Sequence, residues 1–483
     1  MTATLRSRGF LLSSFVTMNT NDVKRVHVIG AGGIGLSAVA KLLAHRGVRV
    51  TGSDATRTNV TDLLATRGIE VKIGQRAENV PDDTQLILYS AAVPSMNPER
   101  VRGKELGIPE LTYNQFLGEL SRSHRTIAVC GCHGKSTTTA MLGKILERAG
   151  LDPLVIVGSL VPGFPDGNIR IGNGEWFVVE ACEHMRHFLE LTPEIVVVTN
   201  IEADHLDYYR DLADIKSAFT EFTSRAKHVI WCADDKESRE VMKLGGESVT
   251  LIGTPKSDSM AHDLTIVNGA QTWTLSNASE NMEITLPLPG AHMAMDASLA
   301  ARAARKAGAS IEAIESSLAE YHGIWRRFEL VGEFNGTPIY SDYAHHPTEI
   351  RATLQAARQL YPDARIIVAF KPHTKDRTKN LWREFTTCFE AANVLVLAEI
   401  YEPAGREEED DEVNSHALLD DIRAHNEVIG KKQACMYAAT NEDVLDFLDQ
   451  TVRPPLPGMP RDVVFIMGAG DIDSVARELS SRA

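Results

Sequence analysis

Ten consecutive residues, Cys130-Gly131-Cys132-His133-Gly134-Lys135-Ser136-Thr137-Thr138-Thr139, carry the most specific chemistry in the sequence. They follow an apolar run, Thr126-Ile127-Ala128-Val129, and precede Met141, Leu142, Ile145 and Leu146 at helical spacing. Strand, glycine turn, Gly-Lys-Ser and helix form a phosphate cradle. Backbone N–H groups at a helix N-terminus receive phosphate oxygens, the lysine neutralises them and the serine hydroxyl can ligate Mg2+. Val129 stands where the longer form of this motif has its first glycine, so the turn here is the shorter Gly131-x-x-Gly134. Such a loop implies a nucleoside triphosphate.

Three further groups can do chemistry. Gly30-Ala31-Gly32-Gly33-Ile34-Gly35 follows the apolar strand Val26-His27-Val28-Ile29, and Asp54 lies 24 positions after Gly30. This is a GxGxxG turn that accepts a diphosphate, either of NAD or of a UDP-sugar, with Asp54 placed for a ribose or uracil group. Glu180 ends the run Trp176–Val179, and His205 follows the run Ile195–Thr199. In a parallel sheet both face the same edge as the cradle, where a carboxylate and an imidazole can hold Mg2+ against ATP. Ser341-Asp342-Tyr343-Ala344-His345-His346-Pro347 follows a short apolar strand, and His373 and Arg377 end the next one.

These residues need parallel sheets to position them. Strand-like runs alternate with helical periodicity through most of the chain, which predicts an α/β protein of three domains: a Rossmann-like domain over 1–121, a phosphate-cradle domain with a parallel sheet over 122–327, and a Rossmann-like domain over 328–483. The length of 483 residues agrees at about 150 residues per domain. Residues 226 to 288 read as short strands rich in turns. Helices are expected at Met293–Ala307 and Ile311–Tyr321, and the acidic run from Glu407 to Glu412 reads as a solvated loop. The net charge of −15 argues against general binding to nucleic acid or anionic membranes. Six cysteines without a CxxC pair suit reduced thiols in the cytoplasm. No run reaches the ~18 apolar residues that insert in a bilayer. The first residues read as a ragged extension, with Met18 as an alternative start.

Taken together, the motifs resemble the Mur ligase family from about Val26 to Asp471. The resemblance rests on Gly30 to Gly35, His133 to Thr139 and Glu180-Ala181-Cys182-Glu183, then on Asn200-Ile201-Glu202-Ala203-Asp204-His205 and Arg326-Arg327-Phe328. It continues through Asp342 to Pro347 and Met467-Gly468-Ala469-Gly470-Asp471. It implies a UDP-binding, an ATP-binding and an amino-acid-binding domain, acting on UDP-N-acetylmuramate and L-alanine through an acyl phosphate in peptidoglycan precursor synthesis. ATP and Mg2+ are the implied cofactors, and a cytoplasmic monomer or homodimer is the implied state. The rival readings are a tripeptide-recycling ligase on the same sugar nucleotide, a dehydrogenase built on the first motif, and a non-catalytic sensor.

By the same resemblance, Gly131, Gly134, Lys135, Ser136 and Thr137 hold the ATP phosphates, and Ser136, Glu180 and His205 hold the metal. Asn200, His292, Asp296, Arg327, Asp342 and His345 line the nucleotide. Gly30, Gly32, Gly33, Gly35, Asp54, Ser90 and His133 serve the UDP-sugar, and Tyr343, His373 and Arg377 receive alanine. Lys135, His345 and His346 are the expected catalytic groups, either histidine being a candidate base for the amine proton. The chain departs from the family pattern at three places, the first being Gly134-Lys135-Ser136 for Gly-Lys-Thr, which keeps the hydroxyl. His292-Met293-Ala294-Met295-Asp296 stands for His-Asn-x-x-Asn, and an ionised carboxylate at 296 cannot donate as an amide does. Phe370-Lys371-Pro372-His373-Thr374 lacks the arginine of Phe-Gln-Pro-His-Arg, leaving Lys371 or Lys375 to compensate. Lys216, the first lysine after His205, is the nearest counterpart of the carbamylated lysine found elsewhere in the family.

Overall fold

The computed structural model describes residues 23–243, 245–253, 257–402, 412–455 and 458–482. The N-terminal extension and most of the acidic run lie outside the described residues. Two compact units divide the chain, one ending at Tyr113 and the other beginning at Asn114. The helix Tyr113–Ser123 spans this junction and also contains the expected domain end at 121.

The first unit is built on five parallel strands: β1 (Arg25–Ile29), β2 (Arg49–Asp54), β3 (Glu70–Ile73), β4 (Leu86–Tyr89) and β5 (Glu110–Thr112). Their order, β3-β2-β1-β4-β5, reverses direction between β1 and β4. A crevice opens outside the strand ends at such a reversal. The Gly30–Gly35 turn and Ser90 both lie there, and a Cβ on Gly30 would sit 3.5 Å from that of Ser90.

The second unit holds two sheets. The larger contains β6 (Arg125–Cys130), β7 (Leu154–Ile156), β8 (Ile169–Arg170), β9 (Trp176–Glu180), β10 (Ile195–Val198), β11 (His228–Cys232), β12 (Glu247–Thr250), β13 (Ser259–Val267), β14 (Ala270–Asn277) and β15 (Asn281–Leu286). Its order is β15-β14-β13-β12-β11-β10-β6-β9-β7-β8, parallel except for β8 and β14, the latter making an antiparallel ribbon with β13 and β15. Register aligns the C-terminal ends of the central strands: Cys130 faces Val198, and Val129 faces Glu180. Gly131, Glu180 and Thr199 therefore emerge at one edge. The ribbon differs from the short strands expected over 226–288, since β13 and β14 run for nine and eight residues. Alternating burial along β14, with Trp273 and Leu275 inside, explains its length.

The other sheet consists of β16 (Glu329–Phe334), β17 (Thr337–Asp342), β18 (Arg365–Lys371), β19 (Val394–Ala398), β20 (Ala434–Ala438) and β21 (Asp462–Gly468), in the order β16-β17-β21-β18-β19-β20 with β16 antiparallel. Its central strands are apolar and fully buried, as a sheet covered on both faces requires. Among the described residues no helix is long and apolar enough to cross a membrane, and all six cysteines are free.

The segment that follows β9 is pinned by aromatic packing. Phe188 stacks on Phe222, from the helix Leu212–Thr223, at 4.5 Å between ring centres, and Phe222 has no exposed surface. Phe222→Ala should cost about 3–5 kcal/mol through the cavity it leaves. A urea midpoint within error of the wild type would show that this contact does not hold the segment.

Candidate functional site

Two glycines shape the loop after β6. Gly131 has φ +131°, and a Cβ there would lie 2.0 Å from Thr199 Oγ1. Gly134 has φ +80°, and its Cβ would meet Asp296 Oδ1 at 2.4 Å. Neither position accepts a side chain. The helix Lys135–Arg148 starts directly after Gly134, so its first N–H groups face the loop.

The end of β10 holds this loop. Thr199 Oγ1 donates to the carbonyls of Cys130 (3.2 Å) and His133 (2.5 Å). Asn200 binds His133 twice, accepting from its backbone N–H at 2.9 Å and donating to its carbonyl at 3.0 Å. The Asn200 amide is thus engaged by the loop backbone.

Lys135 folds into the loop it follows. Its Nζ donates to the carbonyls of Gly131 (2.5 Å) and Cys132 (3.0 Å) and pairs with Glu183 at 3.0 and 3.1 Å. Glu183 is only 2% exposed. Burial pushes its carboxyl up, but Lys135 and His205 outweigh that and leave it below the usual range. Burial likewise works against the lysine charge, and Glu183 more than restores it. His205 Nε2 lies 3.6 Å from Glu183 Oε1, and its backbone is held at φ +54°. Such conformations persist where the surroundings over-determine them.

Glu180, at the end of β9, has a different environment. Its Oε1 accepts the Gly158 N–H at 2.5 Å, and Ser136 is its side-chain partner. Among the described residues no lysine or arginine lies within ion-pairing distance of it. Burial raises its carboxyl above the ordinary value, against the pull of those hydrogen bonds and of Lys135 and Arg327. A half-buried carboxylate beside a serine hydroxyl is an oxygen-rich set that suits a hard divalent cation.

A cavity of about 550 Å³ opens beside the loop, lined by Gly134, Thr137, His292, Asp296, Arg327 and Asp342 among others. Asp296 is buried, and that burial raises its carboxyl well above the usual range against the opposing pull of Arg327 and His133. Burial and the nearby Arg327 lower His292 to about 4, so its imidazole is neutral. Asp342 is largely used by structure, accepting from the N–H groups of Phe328 (3.0 Å) and Ala344 (2.8 Å) and from the Thr353 hydroxyl (3.1 Å).

A chain of charges crosses the mouth of this cavity. His133 Nε2 lies 3.0 Å from Glu202 and its Nδ1 lies 3.2 Å from Glu349, which also lies 3.4 Å from Arg327 and 3.3 Å from His345 Nδ1. Burial opposes the imidazolium, but the two carboxylates prevail and raise His133 to about 9. Glu349 also closes a capping box at the helix Pro347–Leu360, accepting from the N–H groups of His345 and His346.

The two adjacent histidines differ. His346 Nδ1 accepts the Thr348 N–H, so in its neutral form Nε2 carries the proton; that atom is buried without a partner. His345 Nδ1 faces the Tyr343 carbonyl at 2.9 Å, which fixes the proton on Nδ1 and leaves Nε2 as an acceptor. Burial and Arg377 lower His345 to about 3 against the pull of Glu349.

A second cavity, about 540 Å³, contains Asp204, His205, His373, Thr374 and Arg377 and shares Ala203 with the first. Arg377 bridges His373 Nδ1 (3.0 Å) and Asp204 Oδ1 (2.9 Å). Burial alone would raise the Asp204 carboxyl, yet Arg377 holds it far below the ordinary value. Thr374 adopts φ +61°, unusual for a β-branched residue, and caps the helix Lys375–Asn380. Lys371 points to Asp471 (2.7 Å) and Lys375 to Glu402 (3.7 Å). The Tyr343 ring lies between the guanidinium groups of Arg326 and Arg327 at 4.8 and 5.2 Å. Lys216 pairs with Glu237 and Glu240.

In the first unit, Asp54 Oδ2 accepts the Gly32 N–H at 2.8 Å, and a Cβ on Gly32 would strike that oxygen. Gly35 packs against the Tyr113 ring, which leaves no room for a Cβ. Gly33 caps the helix Ile34–His45 with its N–H bonded to the Gly30 carbonyl. The Ser90 hydroxyl accepts the Ala92 N–H at 3.3 Å.

Sequence reasoning assigned no role to Glu183, Asp204, Glu202 or Glu349. The first three fall inside quoted motifs. Glu349 was detectable as the third residue after the His346 cap.

A glycine loop at a helix N-terminus, a carboxylate beside a serine hydroxyl and an adjoining cavity lined by side chains of both charge signs make a site suited to a phosphorylated ligand. The sequence matches the profiles of the Mur ligase family catalytic domain over residues 25–125, the Mur ligase middle domain over 129–304 and the Mur ligase glutamate ligase domain over 326–470. It belongs to the Mur ligase family. The UDP-N-acetylmuramate–L-alanine ligase of Clostridium novyi is 38% identical over 464 residues, covering 95% of this chain and 97% of that protein. The ligase of the same name from Carboxydothermus hydrogenoformans is 37% identical over 477 residues, 98% and 99% of the two chains. The crystal structure of the UDP-N-acetylmuramate-alanine ligase from Thermotoga maritima is 26% identical with a TM-score of 0.79, covering 95% and 98%. A murein peptide ligase from Psychrobacter arcticus shares the fold at 21% identity, with a TM-score of 0.68 over 95% and 98% of the chains.

His133 carries a testable pH signature. Its value in the folded protein, about 9, exceeds the ~6.5 of a free imidazole, so its stabilising contribution is complete below pH ~6.5 and is lost as pH rises through 9. His133→Gln should flatten the melting-temperature profile over that window. A variant profile parallel to the wild type would refute the assignment of charge to this ring.

Proposed function

We propose that this chain joins L-alanine to UDP-N-acetylmuramate with ATP, in the cytoplasm, as a step in making peptidoglycan precursors. The observation that supports this most is the meeting of the two cavities at Ala203, one opening on the phosphate loop and the other on Arg377. A carboxylate phosphorylated in the first would be exposed to an amine held in the second. Three functional domains, divided near residues 121 and 327, accompany this reading.

In the first step an oxygen of the muramoyl carboxylate bonds to the γ-phosphorus of ATP and the bond to the ADP oxygen breaks. In the second the neutral amine of alanine adds to the acyl phosphate, and phosphate leaves as the amide forms. Gly131 and Gly134 allow the loop to approach phosphate oxygens, Lys135 neutralises them, and Thr137 lies within the same first helical turn. Arg327 adds positive charge across the cavity, with His292, Asp296, Asn200 and Asp342 shaping the nucleotide pocket. Ser136, Glu180 and His205 would hold Mg2+, which supplies charge neutralisation on the phosphates when bound. Gly30, Gly32, Gly33, Gly35, Asp54 and Ser90 form the UDP-sugar turn, and His133 serves the sugar side of the phosphate loop. Tyr343, His373 and Arg377 receive alanine, Arg377 offering the guanidinium for its carboxylate. Of the two histidines, His345 is the one with a free ring lone pair, at Nε2, whereas that of His346 Nδ1 is occupied; bound anionic acyl phosphate would have to raise it from about 3 for it to take the amine proton.

Phosphate release from ATP with UDP-N-acetylmuramate should require L-alanine and be weak with a tripeptide acceptor or with no acceptor. Equal release with tripeptide would favour the recycling reaction instead. Lys135→Ala should lower kcat on the order of 10³-fold while UDP-sugar binding persists, and unchanged turnover would exclude the loop from the reaction. His345→Gln should lower kcat by about 10²- to 10⁴-fold, more than His346→Gln, and the reverse order would exchange their roles.

A further inference from the structure

We propose that His184, His205 and Asp207 form a binding site for a transition-metal ion of intermediate softness, with Zn2+ as its natural occupant. Each offers one ligand atom, and all three atoms lie within 4.8 Å of one another. His184 Nε2 is 3.4 Å from Asp207 Oδ2, and the His184 and His205 rings stack at 4.5 Å with 27° between their planes. The trio lines the wall of the 540 Å³ cavity. Its side chains are 17%, 24% and 45% exposed in chain order, so an ion reaches them from solvent.

The donor types decide the metal. Mg2+ prefers oxygen ligands at octahedral spacing, which the Ser136 and Glu180 pair supplies. Two imidazoles with one carboxylate are a ligand set of zinc sites that keep a fourth position open. Tetrahedral bonds of ~2.0–2.1 Å place ligand atoms roughly 3.3 Å apart, so the trio must tighten. Asp207, nearly half exposed, has room to do so. The outer shell is already present, since His205 Nε2 faces Glu183 Oε1 at 3.6 Å and Asp204 Oδ2 at 3.9 Å. Carboxylates behind a ligating imidazole fix its orientation and raise its basicity.

The site shares His205 with the proposed Mg2+ set. An ion bound to the trio withdraws that imidazole and narrows the cavity assigned to alanine, so Zn2+ acts as an inhibitor of turnover. This effect on turnover rests on the ligase reading, whereas binding of the ion does not.

Calorimetric titration of Zn2+ into the full chain, in a Cys182→Ser background that removes the neighbouring thiol, tests the assignment. The parent should bind one Zn2+ at this site, and His184→Gln and Asp207→Asn should each weaken it at least about tenfold. Both variants should keep the parent melting temperature and Mg2+-dependent turnover while losing sensitivity to Zn2+. Co2+ in place of Zn2+ should give the strong visible absorption of a low-coordinate site in the parent and not in the variants. Parent-like Zn2+ affinity in either variant overturns the proposal. Zn2+ binding retained by both with turnover still inhibited would locate the inhibitory ion elsewhere, and would leave the ligase reading standing.

Discussion

The buried pair of Lys135 and Glu183 is the interaction on which the site depends. A lysine at the base of a phosphate loop has to stay charged, and burial opposes that. Glu183 lies 2% exposed against it, and neither ion is stable there without the other. Removing one partner of such a pair typically costs about 3–5 kcal/mol, because the remaining charge is left uncompensated. The pair therefore holds the loop closed around a cation. In the proposed reaction, phosphate oxygens take over part of the role of Glu183 and of the Gly131 and Cys132 carbonyls. Glu183 remains close to His205, so a change at the phosphates is felt at the imidazole.

Around this pair the fold supplies backbone rather than side-chain flexibility. Parallel register brings the ends of β6, β9 and β10 to one edge. Thr199 and Asn200 then clamp the loop through four hydrogen bonds to its backbone. From the neighbouring sheet, Glu349 meets His133 and Arg327, and Arg377 meets Asp204. The Glu349–His133 and Arg377–Asp204 contacts join charges on helices beside one sheet to opposite charges at the strand ends of the other. The two cavities are consequently held side by side by ion pairs.

Much of this was legible in the sequence. The glycine turns, the α/β class and the strands that precede each motif follow from short apolar runs ending in glycine or polar residues. Family membership followed from the order of the motifs. The partners of the motif residues were less accessible. Glu183 and Glu180 are three residues apart on the same motif, and only the turn after β9 separates their fates, one to Lys135 and one to Ser136. Asn200 and Asp342 look like ligand contacts in sequence, yet much of their hydrogen-bonding capacity goes to the backbone nearby. The long β13–β15 ribbon was read as shorter strands because turn-forming residues within it mask the alternation. His184 and Asp207 carried no signal, since their meeting depends on the strained backbone at Met185, Arg186 and His205.

Asp296 illustrates how environment changes the meaning of a substitution. An ionised carboxylate lacks the donor of an amide. Burial shifts the Asp296 carboxyl toward its protonated form, which has one donor and one acceptor, the same complement that an amide offers on one edge. Its place against Gly134 then ties the nucleotide cavity to the phosphate loop. The central claim remains the route of the phosphoryl group. Its most direct test is to label the muramoyl carboxylate of UDP-N-acetylmuramate with ¹⁸O and examine the phosphate released during turnover with ATP and L-alanine. The acyl-phosphate route predicts that each phosphate carries one oxygen from the carboxylate. Unlabelled phosphate accompanying amide formation would contradict it.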